Sequence, residues 1–156
     1  VRPFALAAAV LALALPGCRV HLLEDGDYDF TTTEVLRDDC GAASSFTLLQ
    51  RGTLTTTGNL VKFAFSGERP DLQGTYRSAP WMSSDAESLV MDGSVTNARV
   101  TLRGVDCLVD TVSMHVEAQA TAATTLSGTA SIGFESRVFP ECNCRYWYAF
   151  TAARAP

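Results

Sequence analysis

Lysine is almost missing from this chain: Lys62 is the only one, and the other eleven cations are arginines scattered along its length. With a formal net charge of −5 and no basic patch hidden inside that average, a nucleic-acid-binding face is excluded. Also missing is an apolar run of the roughly 20 residues that a membrane-crossing helix needs. The longest, residues 4–15, has twelve. No nucleophile elbow of the form G-x-S-x-G, no H-E-x-x-H, no P-loop and no dinucleotide fingerprint occurs, so the common hydrolase and nucleotide-dependent classes lose their signatures. Nor is the chain polar or repetitive: 47% of it is hydrophobic and 19% charged, which excludes a solvated disordered tail and a collagen-like repeat. Its 156 residues suit one domain.

What is present begins at the N-terminus. Arg2 is followed by the unbroken apolar run, which ends at Pro16, Gly17 and Cys18. A cation, an apolar core of 7–15 residues and a small-residue junction describe a secretory signal peptide. A buried N-terminal helix is the competing reading, and it fits poorly because no face of the run is polar. The junction Leu15-Pro16-Gly17-Cys18 resembles the lipobox of bacterial lipoproteins, with Pro16 standing where that family usually has a small residue. The resemblance implies cleavage before Cys18, a thioether-linked diacylglycerol on its sulfur and acylation of the freed amine. By the same resemblance, Arg19 in place of Asp implies outer-membrane rather than inner-membrane retention. The expected organisation is a cleaved signal peptide at residues 1–17, a lipidated Cys and short tether at 18–27, and a β domain at 28–156.

The tether and the first residues after it carry His21, Glu24, Asp25, Asp27 and Asp29. An EF-hand loop counted from Asp25 would need Gly and Glu where Phe30 and Leu36 stand, so a solvated acidic linker is expected instead. Extended, it holds the domain no more than about 30 Å from the lipid surface.

Beyond Gly26 the chain alternates with period two. Val112, Met114, Val116, Ala118 and Ala120 share one face, opposite Ser113, His115, Glu117 and Gln119. Leu126, Ala130, Ile132 and Phe134 continue the pattern, and Tyr146, Tyr148 and Phe150 end it, out of phase with Arg145 and Trp147. One packed and one wet face is the mark of antiparallel sheet. Gly58-Asn59 and Asp92-Gly93 are expected as hairpin turns. A helix is allowed near residues 33–38 or between Trp81 and Leu89. Gly74, Gly104 and Gly128, each two residues after a Leu, suggest recurrent bends. The fold class is all-β: a single antiparallel small barrel or sandwich of about seven to nine strands.

Five cysteines are present. Setting Cys18 aside for lipid leaves Cys40, Cys107, Cys142 and Cys144, an even set that in an exported protein predicts two disulfides. In an extended strand Cys142 and Cys144 lie about 6.6–7 Å apart with parallel Cβ vectors, poor geometry for bonding each other. One is expected to take Cys40 and the other Cys107; Cys40–Cys107 with a tight Cys142–Cys144 ring is the competing arrangement. The rival chemistry is a soft metal on the C-x-C pair with His115 as third ligand.

No catalytic constellation emerges. His115 beside Glu117 suggests a general base only in isolation, and Asp106 and Asp110 flank Cys107 in what reads as a solvated turn. The candidate contact residues are Trp81 and Trp147, the latter facing outward toward a partner or glycan. The leading expectation is a membrane-anchored envelope lipoprotein with a disulfide-stapled β domain, a structural or interaction role, and no catalytic, metal or cofactor site. Its partners would be the membrane, through the N-terminal lipid, and another envelope protein, with nucleic acid excluded. A lipocalin-like carrier of a small apolar ligand, its pocket lined by Phe63, Phe65 and Phe134, is the first alternative, and a Cys/His metal-binding envelope protein the second.

Overall fold

The computed structural model describes residues 21–41, 50–65, 70–77 and 87–156. The lipobox with Cys18, Trp81 and most of the second helix candidate lie outside the described residues. Eight strands run in chain order: β1 Gly26–Asp38, β2 Arg51–Thr57, β3 Leu60–Phe65, β4 Leu72–Arg77, β5 Glu87–Leu102, β6 Val105–Ala122, β7 Thr125–Glu135 and β8 Cys144–Arg154. Each pairs antiparallel with the next and β8 returns to β1, closing an up-and-down barrel. Among the described residues the only helix is a one-turn 3-10 segment, Pro140–Cys142. The fold is therefore all-β, and of the two expected architectures it is the barrel.

Alternation explains the closure. The inward residues of β6, β7 and β8 are those the period-two pattern assigns, and they meet Tyr28, Phe30, Leu54, Phe63, Leu72, Leu89 and Met91 from the other strands in one core. Aromatic rings fill its axis: Phe30 lies 5.2 Å from Phe63 and 5.5 Å from Phe150, and Tyr148 lies 5.4 Å from Tyr146. The outward positions are mostly Ser, Thr, Gln, Glu and Asp, the inverse of a barrel whose outer face meets lipid. Where strands coil tightly, glycine is required by space. A Cβ on Gly74 would stand 1.8 Å from the Val90 carbonyl oxygen, and one on Gly128 would stand 2.1 Å from that of Glu117. Gly104 differs: with Arg103 it forms the tip of the β5–β6 hairpin, both at positive φ, as a type I′ turn demands.

The barrel has two unlike ends. One gathers the Gly58-Asn59 turn, the 123–124 turn, the C-terminus and residues 21–25. The other gathers the Arg103-Gly104 tip, the 136–143 loop and all four described cysteines. β2, β3 and β4 are short, so among the described residues β1 beyond Phe30 and β5 beyond Asp92 have a partner strand on one side only.

Three expectations are corrected. Residues 33–38 are not helical but continue β1, laddered to β8 as far as Asp38 opposite Tyr146, with irregularities at Thr32/Glu34 and Val35/Arg37. The β8 edge outweighs local propensity there. Of the other helix candidate only the end is described, and there Glu87, Ser88 and Leu89 are strand. Asp92-Gly93 is not a turn; it lies inside the 16-residue β5, where Gly93 admits the Asp71 carbonyl, 2.4 Å from where a Cβ would be.

The acidic stretch is not a solvated linker either. β1 begins at Gly26, Asp29 holds Arg51 through two 2.7 Å bonds, and Asp27 accepts from Thr53. Ahead of it, residues 21–25 lie against the barrel end as a strap. His21 stacks on Tyr76 at 3.8 Å, its Nδ1 is 2.6 Å from Glu87, and the Leu22 N–H donates to the same carboxylate. Leu23 is buried, the Glu24 N–H donates to the Ala123 carbonyl, and its side chain pairs with Arg154. Tyr28 closes the contact by donating to the Glu24 carbonyl at 2.8 Å, and burial pushes its phenol up to about 12.

Candidate functional site

The register of five strands places a row of side chains on the outer wall. Asp92 stands opposite His115, His115 opposite Ser131, Ser131 opposite Trp147, and Trp147 opposite Arg37. His115, Ser131 and Trp147 each lie between two buried residues, so the alternation that builds the core also builds the middle of the row, and register alone adds Asp92 and Arg37. The next row holds Ser94, Ser113 and Gly133 and ends at Arg145 on β8. Its small side chains make a floor, and a Cβ on Gly133 would lie 2.9 Å from the Ser113 hydroxyl. Walled on the far side by Ser136, Arg137 and Asn143, the floor becomes an open trench of about 1080 Å³.

His115 is held on both sides. Its Nδ1 donates to Asp92 at 2.7 Å, and Nε2 lies 3.5 Å from Glu117. The hydrogen bond to Asp92 comes first in raising its pKa above the ordinary value; partial burial opposes the shift, and Glu117 adds to it. Both ring nitrogens thus face carboxylates, and Ser131 is the cross-strand neighbour of His115. Trp147 is half-buried, and the Arg37 guanidinium sits 5.4 Å from its ring centroid. The expected outward direction is found; the covering cation comes from β1.

The cysteines pair as Cys40–Cys144 and Cys107–Cys142. Cys142 and Cys144 do bond to different partners, though Cys142 lies in the 3-10 turn and only Cys144 in a strand. Both bridges tie the end opposite the strap. Arg103, strained at φ 51°, is held there by its N–H to the Cys40 carbonyl and its Nε to the Asp39 carbonyl, both at 2.9 Å. The metal alternative loses its ligands: the thiolates it requires are bonded to other sulfurs, and His115 faces carboxylates.

Asp106 and Asp110 lie on β6, not in a turn. Asp106 accepts from Thr101 at 2.8 Å and Asp110 from the Arg137 N–H at 2.6 Å, so each is engaged separately. Phe63 and Phe65, offered as pocket lining for a carrier, stack on each other at 6.2 Å, and Phe134 is buried in the core. Sequence reasoning found His115, Glu117 and Trp147 but missed Asp92, Ser131 and Arg37 as members of one site. Only strand register brings these together.

Fold and site define a class: an up-and-down antiparallel barrel with a side-chain-filled interior and a polar trench on its outer wall. In comparisons with family models, curated proteins and solved structures, nothing matches the chain.

Proposed function

We propose that this is a lipid-anchored protein of the bacterial cell envelope, held at the outer membrane, whose barrel is an interaction module without catalysis. The pair of disulfides carries the reading, because such bridges form and persist in the oxidising compartments that exported proteins enter. The sequence Leu15-Pro16-Gly17-Cys18 supports the anchor. Two or three acyl chains on Cys18 would add about 0.8 kcal/mol per buried methylene, enough for retention where a single chain is reversible. The clamp on His115 supports a role without catalysis, and the trench beside Trp147 supports one in binding. The carrier alternative is weakened by an axis filled with rings.

Metabolic labelling with palmitate tests the anchor. Label is expected in the wild type, in the outer-membrane fraction, and not in Cys18→Ala. Equal labelling of both, or of neither, overturns it.

A further inference from the structure

We propose that the trench across β5–β8 is a binding site for a neutral saccharide chain. The inference deepens the interaction reading and rests on it.

Shape comes first. The floor of Ser94, Ser113 and Gly133 runs across the strands, so an occupant lying along it crosses one strand after another. Adjacent strands are about 4.8 Å apart. A linear glycan, whose rings are comparable in width to that spacing, would set successive rings against successive strands. A strand-like peptide could not use this floor by backbone pairing, because the N–H and C=O groups of β6 and β7 are already spent on their neighbours.

Charge narrows the ligand. The trench carries both signs: Asp92 is engaged with His115, Asp110 with the Arg137 N–H and Asp39 with Arg37 at 2.7 Å, and Glu135, Arg137 and Arg145 line it as well. With acids and cations mixed along its walls, the trench builds no field of one sign, either to hold a run of phosphates or to draw a cation. An apolar ligand is equally ill-served by a floor of hydroxyls. What remains is a neutral molecule rich in hydroxyl groups, which can both donate to carboxylates and exchange hydrogen bonds with Ser113 and Ser131.

Trp147 supplies the last element. Sugar rings present flat patches of C–H, and an indole beside hydroxyl-bearing residues offers a surface to match them. Arg37 over the ring limits its freedom, so less side-chain entropy is lost when a ligand arrives.

The test uses the full chain in detergent with two neutral tetrasaccharides, cellotetraose and chitotetraose, titrated by calorimetry. At least one is expected to bind. Trp147→Ala, and separately Ser113→Trp, which fills the floor from an exposed position, are each expected to weaken binding by about tenfold or more. Both variants are checked for an unchanged thermal midpoint, and Ser131→Arg serves in place of either that unfolds. Absence of binding of either sugar to the folded wild type overturns the proposal, as does binding that survives Ser113→Trp. If instead an envelope protein cross-linked at the trench in cells is lost on Ser113→Trp while neither sugar binds, the saccharide assignment falls and the interaction reading stands.

Discussion

Removing the two disulfides one at a time tests whether they act by confining the unfolded chain. Cys40–Cys144 spans 104 residues and Cys107–Cys142 spans 35, the second nested inside the first. By loop-closure entropy the isolated bridges are worth about 4.7 and about 3.8 kcal/mol at 25 °C. Nesting changes these values. With the inner bridge closed, the outer loop is effectively only about 70 residues long, so opening it costs about 4.4 kcal/mol. Opening the inner bridge with the outer one closed costs about 3.5 kcal/mol, and losing both costs about 8. Alanine pairs are the right perturbation, since Cys40, Cys107 and Cys142 are buried and a serine hydroxyl would add a desolvation penalty. Urea unfolding of Cys40→Ala/Cys144→Ala and Cys107→Ala/Cys142→Ala, compared with wild type at equal slope, reads the difference. The outer pair is expected to cost more, by about 1 kcal/mol, and the quadruple variant to lie at or beyond the edge of folding. An inner pair that costs clearly more than the outer, or a quadruple variant that loses less than about 3 kcal/mol, refutes the entropic account.

Two further outcomes follow from single groups. The Tyr148 hydroxyl is buried with no hydrogen-bond partner among the described residues, and burial drives its phenol far above the ordinary value. Tyr148→Phe is therefore expected to raise stability by about 1 kcal/mol in thermal or urea unfolding, and a loss of similar size would mean that the hydroxyl has a partner in solution. His115 has a raised pKa in the folded state, so its contribution is complete below the ordinary value of 6.5 and fades as pH rises through the folded value. The side chain is 45% exposed, which limits that contribution to less than about 1 kcal/mol. His115→Gln should be the less stable protein at pH 5.5 and equal to wild type at pH 9; a gap that widens with pH contradicts the ion-pair clamp.

Legibility in the sequence followed burial. β6, β7 and β8 could be read because one face of each is packed, so Met114, Ile132 and Tyr148 imprint a period of two. The far half of β1 could not: Val35 and Leu36 are both exposed, and a strand wet on both faces leaves no alternation. Asp92-Gly93 misled for a different reason. The pair is a strong local turn signal, but Gly93 answers to a carbonyl on another strand, and no window of sequence contains that contact. In the same way the pairing of His115 with Glu117 was visible two residues apart, while Asp92, Ser131 and Arg37 join the site through register alone. The strap escaped notice because its charged residues suggested solvent, whereas His21, Leu22 and Leu23 do the docking.

That strap sets a dimension. Only Arg19 and Val20 separate Cys18 from docked His21, which is no more than about 11 Å of extended chain against the 30 Å a free tether would give. On the envelope proposal the molecule is then less a buoy on a line than a post set in a deck, with its disulfide end uppermost. The trench is carried at a fixed elevation: His115 is seven residues up β6 from Ala122, roughly 24 Å along the strand before tilt is allowed for. Whatever occupies it must come within about 35 Å of the bilayer, the tether added to that rise, so the barrel would sample a layer just above the membrane and nothing beyond.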